Sequence, residues 1–302
     1  MANCPSSTSP TPKATGSDRG VKGPPVIAIA SGKGGTGKTT VAVHLAALLA
    51  QQERPVQYLD CDVEEPNGHL FLKPKIECSE SVGIPVPVVD AARCTSCGKC
   101  AEVCEFNAIA MLKKPLVFPE LCHGCGACTL VCPVGAIRES PRAIGVAETG
   151  RAGSVAFAQG RLNVGEPMAP PLIRAVKARR NPEAVALLDS PPGTSCPVVA
   201  TVRGADFVVL VTEPTPFGLH DLSLAVATLR PLDRPLGVVV NRADADRRVQ
   251  DYCHAEKLPV LAELPDDRRV AETYARGELL FDRLPDWRGR FETLWTRIEE
   301  RL

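Results

Sequence analysis

The chain has 302 residues, with 35 Lys and Arg against 35 Asp and Glu, so its formal net charge is zero. This balance gives no reason to expect nucleic acid or another polyanion as a partner. Hydrophobic residues make up 44% of the chain, enough for a sizeable core, which excludes disorder of the whole chain. No apolar run reaches the roughly 18 residues of a membrane-spanning helix, and the N-terminus lacks a secretory pattern. We therefore expect a cytoplasmic protein and no association with membranes.

Residues 1–23 combine Ser, Thr, Pro and Gly with almost no large apolar side chains, which predicts a disordered tail. From Pro25 the pattern changes to VIAIAS, a β-branched run typical of a strand buried on both faces. A glycine-rich turn follows, and then the Ala- and Leu-rich segment KTTVAVHLAALLAQQ. This order predicts a strand, a loop and a helix in succession.

Four further apolar runs predict strands, and helical stretches separate several of them. The strands are Val56 to Asp60, Ala184 to Asp189, Asp206 to Thr212 and Pro235 to Asn241, and the helices include 221–230 and 245–257. This alternation predicts an α/β fold, a mostly parallel sheet with helices on both faces. Residues 85–140 interrupt it and are dense in Cys and Gly. We expect a small inserted domain there, between the two parts of the main domain, 24–84 and 141–302.

The insert holds eight of the 13 cysteines, in the spacing C-x2-C-x2-C-x3-C, which occurs twice. Three cysteines at two-residue intervals wrap around one face of a four-iron cluster, and the fourth thiolate ligates the other cluster. The spacing therefore predicts two cross-ligated [4Fe-4S] clusters. The first cysteine set is Cys94, Cys97, Cys100 and Cys132, and the second cysteine set is Cys104, Cys122, Cys125 and Cys128.

Two structural zinc ions are the alternative for eight thiolates, although zinc modules usually keep two close pairs of ligands well apart. A disulfide framework disagrees with the expected reducing compartment. The segments CTSCGKCAEVCEFNAIA and CHGCGACTLVCPVGAIR are near copies of each other. Over residues 85–140 the chain thus resembles the two-[4Fe-4S] bacterial ferredoxins, which implies an α+β ferredoxin-like insert.

The glycine-rich turn fits G-x-x-x-x-G-K-[ST] from Gly32 to Thr39, between a predicted strand and a predicted helix. Backbone amides of such a loop cradle phosphates. We expect Lys38 to reach the β and γ phosphates of ATP, and the Thr39 hydroxyl to bind Mg²⁺. The other expected phosphate-binding residues are Gly34, Gly35, Thr36, Gly37 and Thr40.

The same loop carries a second lysine, Lys33, in SGKGGTGKTT. This deviant Walker A motif resembles the MinD, ParA and nitrogenase iron-protein superfamily. In that family the extra lysine crosses to the nucleotide of a second subunit. The resemblance therefore implies an ATP-sandwich dimer, a homodimer or a heterodimer with a paralogue, in which Lys33 and Lys38 are catalytic.

Carboxylates follow two predicted strands where the family places its two switches. Asp60 and Asp62 lie in LDCDVEEPN, and the resemblance implies that Asp62 orients the attacking water while Asp60 acts through Mg²⁺ and its waters. Asp189 resembles a Walker B aspartate, and Gly193 in the following DSPPGTSC is expected near the γ phosphate. An isolated Asp at a strand end can also be a helix cap. Several strand ends that agree with one site favour the nucleotide interpretation.

The family reads adenine from two further segments. Asn241 and Arg242 end a predicted strand, and Pro265 and Asp266 in ELPDD resemble the second contact. Overall, residues 25 to about 285 resemble MinD-superfamily ATPases that contain an inserted ferredoxin domain. Their motifs occur here in the same order.

Three functions are compatible with these motifs. The first is an ATPase whose dimer switching gates electron transfer through two clusters to a redox protein. The second is a cluster carrier or assembly ATPase of the Mrp type. The third is a MinD- or ParA-like spatial organiser, for which a C-terminal membrane helix would be needed. The apolar positions of the C-terminal segment, Trp287 to Leu302, favour packing on the domain instead.

Cys196, in DSPPGTSC, lies near the position at which nitrogenase-type reductases ligate a cluster between subunits. One such cysteine per chain cannot supply a four-ligand bridge without another donor. We therefore expect Cys196 to be a small buried thiol.

Overall fold

The structure is a computed structural model that describes residues 23–302. The predicted disordered tail, residues 1–23, lies outside the described residues apart from Gly23.

Nine of the strands form one large sheet, and five of these coincide with the apolar runs that predicted strands. These runs consist mostly of Val, Ile, Leu and Ala, and they are buried on both faces because helices cover both sides of the sheet. The strands are β1 (Val26–Ala30), β2 (Val56–Asp60), β3 (Lys75–Val89), β4 (Ile109–Met111), β5 (Pro115–Val117), β6 (Ile137–Ala152), β7 (Val155–Leu162), β8 (Val185–Asp189), β9 (Phe207–Thr212), β10 (Leu236–Ala243) and β11 (Val260–Pro265).

The helices occupy most of the connections between these strands. They are α1 (Lys38–Gln51), α2 (Gly68–Leu72), α3 (Lys99–Glu102), α4 (Ala127–Leu130), α5 (Ala169–Lys177), α6 (Cys196–Val202), α7 (Pro216–Leu229), α8 (Arg248–Ala255), α9 (Arg268–Ala275), α10 (Leu280–Arg283) and α11 (Arg288–Glu299).

The strand order in the large sheet is β11-β10-β9-β1-β8-β2-β7-β6-β3. The seven strands from β11 to β7 run parallel to one another, whereas β6 and β3 are antiparallel additions at one edge. The predicted α/β class with a mostly parallel sheet is therefore confirmed. The carboxyl ends of the parallel strands meet along a single edge, where such folds bind ligands.

Hydrophobic side chains fill both faces of the sheet. One face is covered by α1, α10 and α11, and the other by α5, α6, α7 and α8. Phe291, Leu294, Trp295 and Ile298 of α11 are buried in the first of these cores, as the predicted packing of the C-terminal segment requires. Within residues 23–302, every helix is too short or too polar to cross a membrane.

A two-stranded ribbon joins the cysteine-rich region to the large sheet. Strands β3 and β6 pair from Lys75 opposite Arg151 to Val89 opposite Ile137, and the register shifts at two places along the ribbon. The ribbon runs through both predicted domain boundaries, at residues 85 and 140. Residues 90–136 at its end contain the small β4-β5 sheet, α3 and α4.

Candidate functional site

The loop from Gly32 to Gly37 connects β1 to α1 at the carboxyl edge of the sheet. Gly37 has a φ of 96°, in the left-handed region that glycine tolerates best. A Cβ at this position would lie 2.4 Å from Asn241 Nδ2. The Asn241 amide in turn donates a hydrogen bond of 2.8 Å to the Thr36 carbonyl oxygen. Glycine is therefore required for the close approach of the loop to the end of β10.

A cavity of about 390 Å³ opens beside this loop. It brings together many of the residues predicted to bind nucleotide, which come from four separate segments of the chain. These are Gly34, Gly35, Gly37, Lys38, Thr39, Thr40, Asp62, Asn241, Arg242, Pro265 and Asp266. The volume is within the range of small-molecule and cofactor sites.

The cavity is also lined by residues that had not been predicted to belong to the site. Tyr274 of α9, Trp287 and Phe291 line it, together with Glu65 and Asn67 of the segment that follows β2. The three aromatic residues come from the C-terminal part of the chain. The apolar character of Trp287 and Phe291 had indicated only core packing, and no pattern had singled out Tyr274. Glu65 and Asn67 lie within LDCDVEEPN, so that motif contained the signal for them.

Five predicted residues do not line the cavity. Asp60, Asp189 and Thr36 are buried behind it, Lys33 is directed elsewhere, and Gly193 follows β8 with a φ of 95°. The Gly193 amide donates a hydrogen bond of 3.0 Å to the Ser31 carbonyl oxygen, which ties the segment after β8 to the loop after β1.

Asp60, Asp189 and Tyr58 form a buried polar group beneath the loop. The Tyr58 hydroxyl donates to Asp189 Oδ2 at 2.8 Å and lies 3.4 Å from Asp60 Oδ2. Burial raises the pKa of both carboxyl groups, and for Asp60 the neighbouring Asp189 adds to this effect. The Lys38 ammonium opposes the rise in the pKa of Asp189. Asp189 Oδ1 is buried and has no hydrogen-bond partner within residues 23–302.

Asp60 organises the segment that follows β2. Its Oδ2 accepts a hydrogen bond of 3.0 Å from the Gly68 amide, and its Oδ1 accepts one of 3.2 Å from the Asp62 amide. A Cβ on Gly68 would lie 2.3 Å from the Tyr58 hydroxyl, so glycine is needed where α2 begins. One carboxylate therefore fixes both ends of residues 62–68.

Asp62 lies at the wall of the cavity and is only half-buried. Burial raises the pKa of Asp62 to about 7, with a further contribution from the Asp189 charge, while Lys38 acts in the opposite direction. The carboxyl group can thus change its charge near neutral pH.

The Lys33 ammonium forms an ion pair within its own chain. Its Nζ lies 3.3 Å from Glu213 Oε2, and Arg242 Nη1 lies 2.5 Å from the other oxygen of the same carboxylate. Glu213 is buried immediately after β9. Two cations therefore share one carboxylate, and motif reasoning had not identified Glu213.

The cysteines of the insert gather around two small cavities. All four members of the first cysteine set, Cys94, Cys97, Cys100 and Cys132, line one of them. All four members of the second cysteine set, Cys104, Cys122, Cys125 and Cys128, line the other. Each cavity thus receives three cysteines from one run and the last cysteine of the other run.

Backbone amides are directed at equivalent sulfurs of the two runs. The amides of Ser96 and Gly124 approach the first cysteine of each run, at 3.4 Å from Cys94 Sγ and 3.4 Å from Cys122 Sγ. The sulfur of the last cysteine in each run accepts a hydrogen bond from the backbone amide four positions later. Cys104 Sγ accepts from Ala108 at 3.3 Å, and Cys132 Sγ accepts from Ala136 at 3.2 Å. The amides around Cys132, that of Ala136 above all, lower the pKa of this thiol. The internal sequence repeat is therefore also a structural repeat.

No three His, Cys, Asp or Glu side chains among the described residues converge closely enough to bind a single metal ion. A tetrahedral zinc ion requires thiolates at about 2.3 Å from one centre. A four-iron cluster places its cysteine ligands on separate iron atoms. Four thiols around each open cavity match the four separate ligands that such a cluster requires.

Among the other cysteines, Cys61 and Cys253 are buried, whereas Cys196 is exposed. The expectation that Cys196 is a buried thiol is wrong. Cys196 begins α6 just after the DSPPGTS segment, so its side chain lies at a helix terminus on the surface and outside the core.

Comparison with known proteins shows relatives of the whole α/β domain. The family model described as the CobQ/CobB/MinD/ParA nucleotide binding domain matches residues 27–281. An uncharacterized protein of Methanocaldococcus jannaschii is 36% identical over 218 residues, which cover 72% of this chain and 77% of that protein. An iron-sulfur cluster carrier protein of Aquifex aeolicus is 24% identical over 281 residues, which cover 86% of this chain and 63% of the carrier.

Solved structures show the same architecture. The septum site-determining protein MinD of Pyrococcus horikoshii, complexed with Mg-ADP, matches with a TM-score of 0.55 and 20% identity, and covers 91% of this chain and 96% of that one. At this identity the likeness concerns the fold. The chain therefore belongs to the CobQ/CobB/MinD/ParA nucleotide-binding family and has its P-loop α/β fold.

Proposed function

We propose that this protein is an ATPase in which nucleotide-dependent dimer switching gates electron transfer through two [4Fe-4S] clusters to a redox protein. The observation that carries the proposal is that the eight insert cysteines line two cavities, each with three cysteines of one run and one of the other, in the same chain as a P-loop cavity. The insert then forms the ferredoxin-like domain at residues 85–140, between the two parts of the ATPase domain.

ATP and Mg²⁺ would be held by groups that the cavity already presents. The loop amides from Gly34 to Thr40 and the Lys38 ammonium suit the phosphates, and the Thr39 hydroxyl suits Mg²⁺. The unpartnered Oδ1 of Asp189 supports a Mg²⁺ role, because a buried carboxylate oxygen without a hydrogen bond is costly unless a ligand uses it. Asn241, Arg242, Pro265 and Asp266 would contact adenine.

Hydrolysis would depend on Asp62 and Lys33. Asp62 at the cavity wall can accept a hydrogen bond from the attacking water once its carboxyl group is deprotonated. Lys33 would stabilise charge on the nucleotide of the second subunit, whether that subunit is an identical copy or a paralogue. To do so its ammonium must leave Glu213, so dimerisation would compete with an ion pair within the chain.

The two cysteine sets would each ligate one cluster through four thiolates. Bound in this way, a [4Fe-4S] cluster supplies one-electron redox chemistry. Amides directed at the sulfurs of Cys94, Cys104, Cys122 and Cys132 would tune its potential.

A short stretch of chain, residues 60–89, connects the two sites. Asp60 fixes residues 62–68, α2 follows at once, and β3 then carries the chain to the insert. At the other end of β3, the loop of the second cysteine set packs on the ribbon, because a Cβ on Gly124 would lie 3.1 Å from Pro85. A nucleotide-dependent shift of residues 62–68 would thus reach the second cysteine set through one strand.

Stopped-flow reoxidation tests gating directly. Anaerobically purified, reduced protein is mixed with ferricyanide in the presence of ATP, of ADP or of no nucleotide. We expect different rates in the three states, and a single rate in all three for Lys38→Ala. Lys75→Ala, an exposed lysine on β3, serves as the control and should retain the nucleotide effect. Equal rates in every nucleotide state of the unmodified protein would refute gating.

A cluster carrier is the second candidate, favoured by the resemblance over 86% of the chain to the carrier protein of Aquifex aeolicus. A carrier must release its cluster, whereas the cysteine sets enclose theirs with four ligands each. Incubation with an apo-ferredoxin separates the two functions. Transfer of iron and sulfide to the acceptor on addition of ATP would support the carrier, and retention of both clusters supports gated electron transfer.

A further inference from the structure

The charges of the insert are segregated between its two ends. Residues 85–140 contain five basic residues, of which four surround the first cysteine set and are called the basic rim: Arg93, Lys99, Lys113 and Lys114. All four are exposed. The carboxylates at this end are Asp90 and Glu102, so the end carries a net positive charge in a chain whose overall net charge is zero.

Contacts to the backbone place the basic rim at the mouth of the first cavity. The Arg93 guanidinium donates to the Val134 carbonyl oxygen at 3.1 Å, and Val134 lines the cavity. Lys99 lines the cavity itself, as the neighbour of Cys100. The turn between β4 and β5 brings in the other two lysines, because Ser96 donates to the Lys113 carbonyl oxygen at 3.1 Å. Lys114 reaches the Ala91 carbonyl oxygen at 3.5 Å.

The opposite end of the insert is acidic and faces the ATPase domain. Glu139 lines the second cavity, Glu105 directly follows Cys104, and Glu120 lies close enough to Arg142 to influence its pKa. Cys122 is buried in the same hydrophobic core as Ile84 of the ribbon, whereas Cys100 belongs to a separate small core with Ile109 and Ile137. The second cysteine set is thus the inner one, and the first cysteine set is the outer one.

We propose that the basic rim docks an acidic electron-transfer protein. This inference rests on the proposed function, because it names the partner with which the outer cluster would exchange one electron. Complementary charge steers such encounters and orients the partner. The exposed Cys97 and the apolar Val134, 37% exposed, lie within the ring of cations, so the contact has an apolar centre and a charged margin.

Flavodoxin, a strongly acidic one-electron carrier, is a suitable probe. The rim variant is Lys99→Glu/Lys113→Glu/Lys114→Glu, which leaves Arg93 in place because its guanidinium holds the Val134 segment. The control variant, Lys75→Glu/Arg174→Glu/Arg180→Glu, changes the net charge equally at exposed positions outside the insert. Two quantities are measured over a range of ionic strength: the binding of oxidised flavodoxin by calorimetry, and the second-order rate of electron exchange by anaerobic stopped flow.

At low salt we expect the rim variant to bind flavodoxin at least about tenfold more weakly than the unmodified protein, and to exchange electrons with it at least about tenfold more slowly. Both differences should disappear at high salt. The control variant should match the unmodified protein. Equal losses in the two variants, or none in the rim variant, would overturn the docking proposal. So would rim-dependent binding to phosphatidylglycerol vesicles or to a DNA duplex in place of flavodoxin.

The two proposals fail in different ways. If anaerobic protein that has been reduced with dithionite gives no [4Fe-4S] signal by electron paramagnetic resonance, the proposed function fails, although calorimetry still tests the rim. If both clusters are present and the rim variant binds flavodoxin as tightly as the unmodified protein does, only the docking proposal fails.

Discussion

The hydroxyl group of Tyr58 donates a hydrogen bond of 2.8 Å to Asp189 Oδ2, and both side chains are fully enclosed by the protein. Because this bond occupies one oxygen of the carboxylate, the other oxygen is the one free to take a ligand. Tyr58 is therefore a positioning residue for the aspartate that we assign to Mg²⁺.

Tyr58→Phe removes this hydrogen bond and little else. A hydrogen bond to a charged group is worth about 1.5–3 kcal/mol, so we expect the Mg²⁺ concentration for half-maximal ATP hydrolysis to rise about tenfold or more. Titration of Mg²⁺ at saturating ATP measures the change. Tyr252→Phe, on α8, should leave the Mg²⁺ dependence unaltered, and an unaltered dependence in Tyr58→Phe would contradict the positioning role.

Glu213→Gln removes the negative charge that forms an ion pair with Lys33 in the same chain. The loss of an ion pair worth about 1 kcal/mol from each subunit of a homodimer should stabilise the dimer by about 2 kcal/mol, and lower the protein concentration for half-maximal ATPase activity by about thirtyfold. Activity assayed over a dilution series gives this value. Glu263→Gln, which removes the exposed pair with Arg247, is the matched control. If both variants depend on concentration as the unmodified protein does, Glu213 does not restrain Lys33.

Asp62 should make both stability and activity depend on pH. The pKa of Asp62 is about 7 in the folded chain against an ordinary value of 3.8, so the folded state binds this proton more tightly than the unfolded state. The contribution of Asp62 to the free energy of unfolding therefore decreases as pH rises from about 4 to about 7, and it is constant above about pH 7.

Thermal unfolding of the nucleotide-free protein at several pH values tests this sign. The melting temperature of the unmodified protein should fall relative to that of Asp62→Asn across the interval, and a relative rise would contradict the prediction. ATPase activity should increase through the same interval, because only the deprotonated carboxylate can accept a proton from water.

Pairs of cysteine substitutions distinguish cross-ligated clusters from clusters confined to one run. Cys94→Ser/Cys132→Ser removes two ligands of the first cysteine set, so about half of the iron should remain. Cys122→Ser/Cys132→Ser removes one ligand from each set, and both clusters should be lost or impaired. Iron analysis and spin quantification give the numbers, with Cys196→Ser as the control. The reverse pattern would show that each run ligates its own cluster.

The strands that position the nucleotide cavity could be predicted because their sequences are mostly apolar. The runs before Asp60, Asp189 and Asn241 are buried on both faces, and the motifs follow at their carboxyl ends. The other four strands of the large sheet, β3, β6, β7 and β11, were not predicted. β3 is exposed over much of its length, and both β3 and β6 contain Pro and Gly, so neither alternation nor an apolar run identifies them.

Side chains that meet across large sequence distances were beyond motif reasoning. Tyr58 looked like part of a core strand, and its bond to Asp189, 131 residues away, depends on the packing of β2 beside β8. Glu213 and Lys33 are similarly brought together by the adjacency of β1 and β9. By contrast, the cysteine sets follow from spacing alone, because their ligands are close in sequence and the motif repeats.

Because β3 and β6 are hydrogen-bonded to each other from residue 75 to residue 89, the cysteine-rich module is joined to the sheet by two paired strands. The paired backbone resists bending except at its two register shifts, between Ile76 and Cys78 and between Val82 and Gly83, so we expect the module to move as one body. Distance measurements between labels on the rim and on α7 should therefore show a narrow distribution that shifts between nucleotide states, with little broadening.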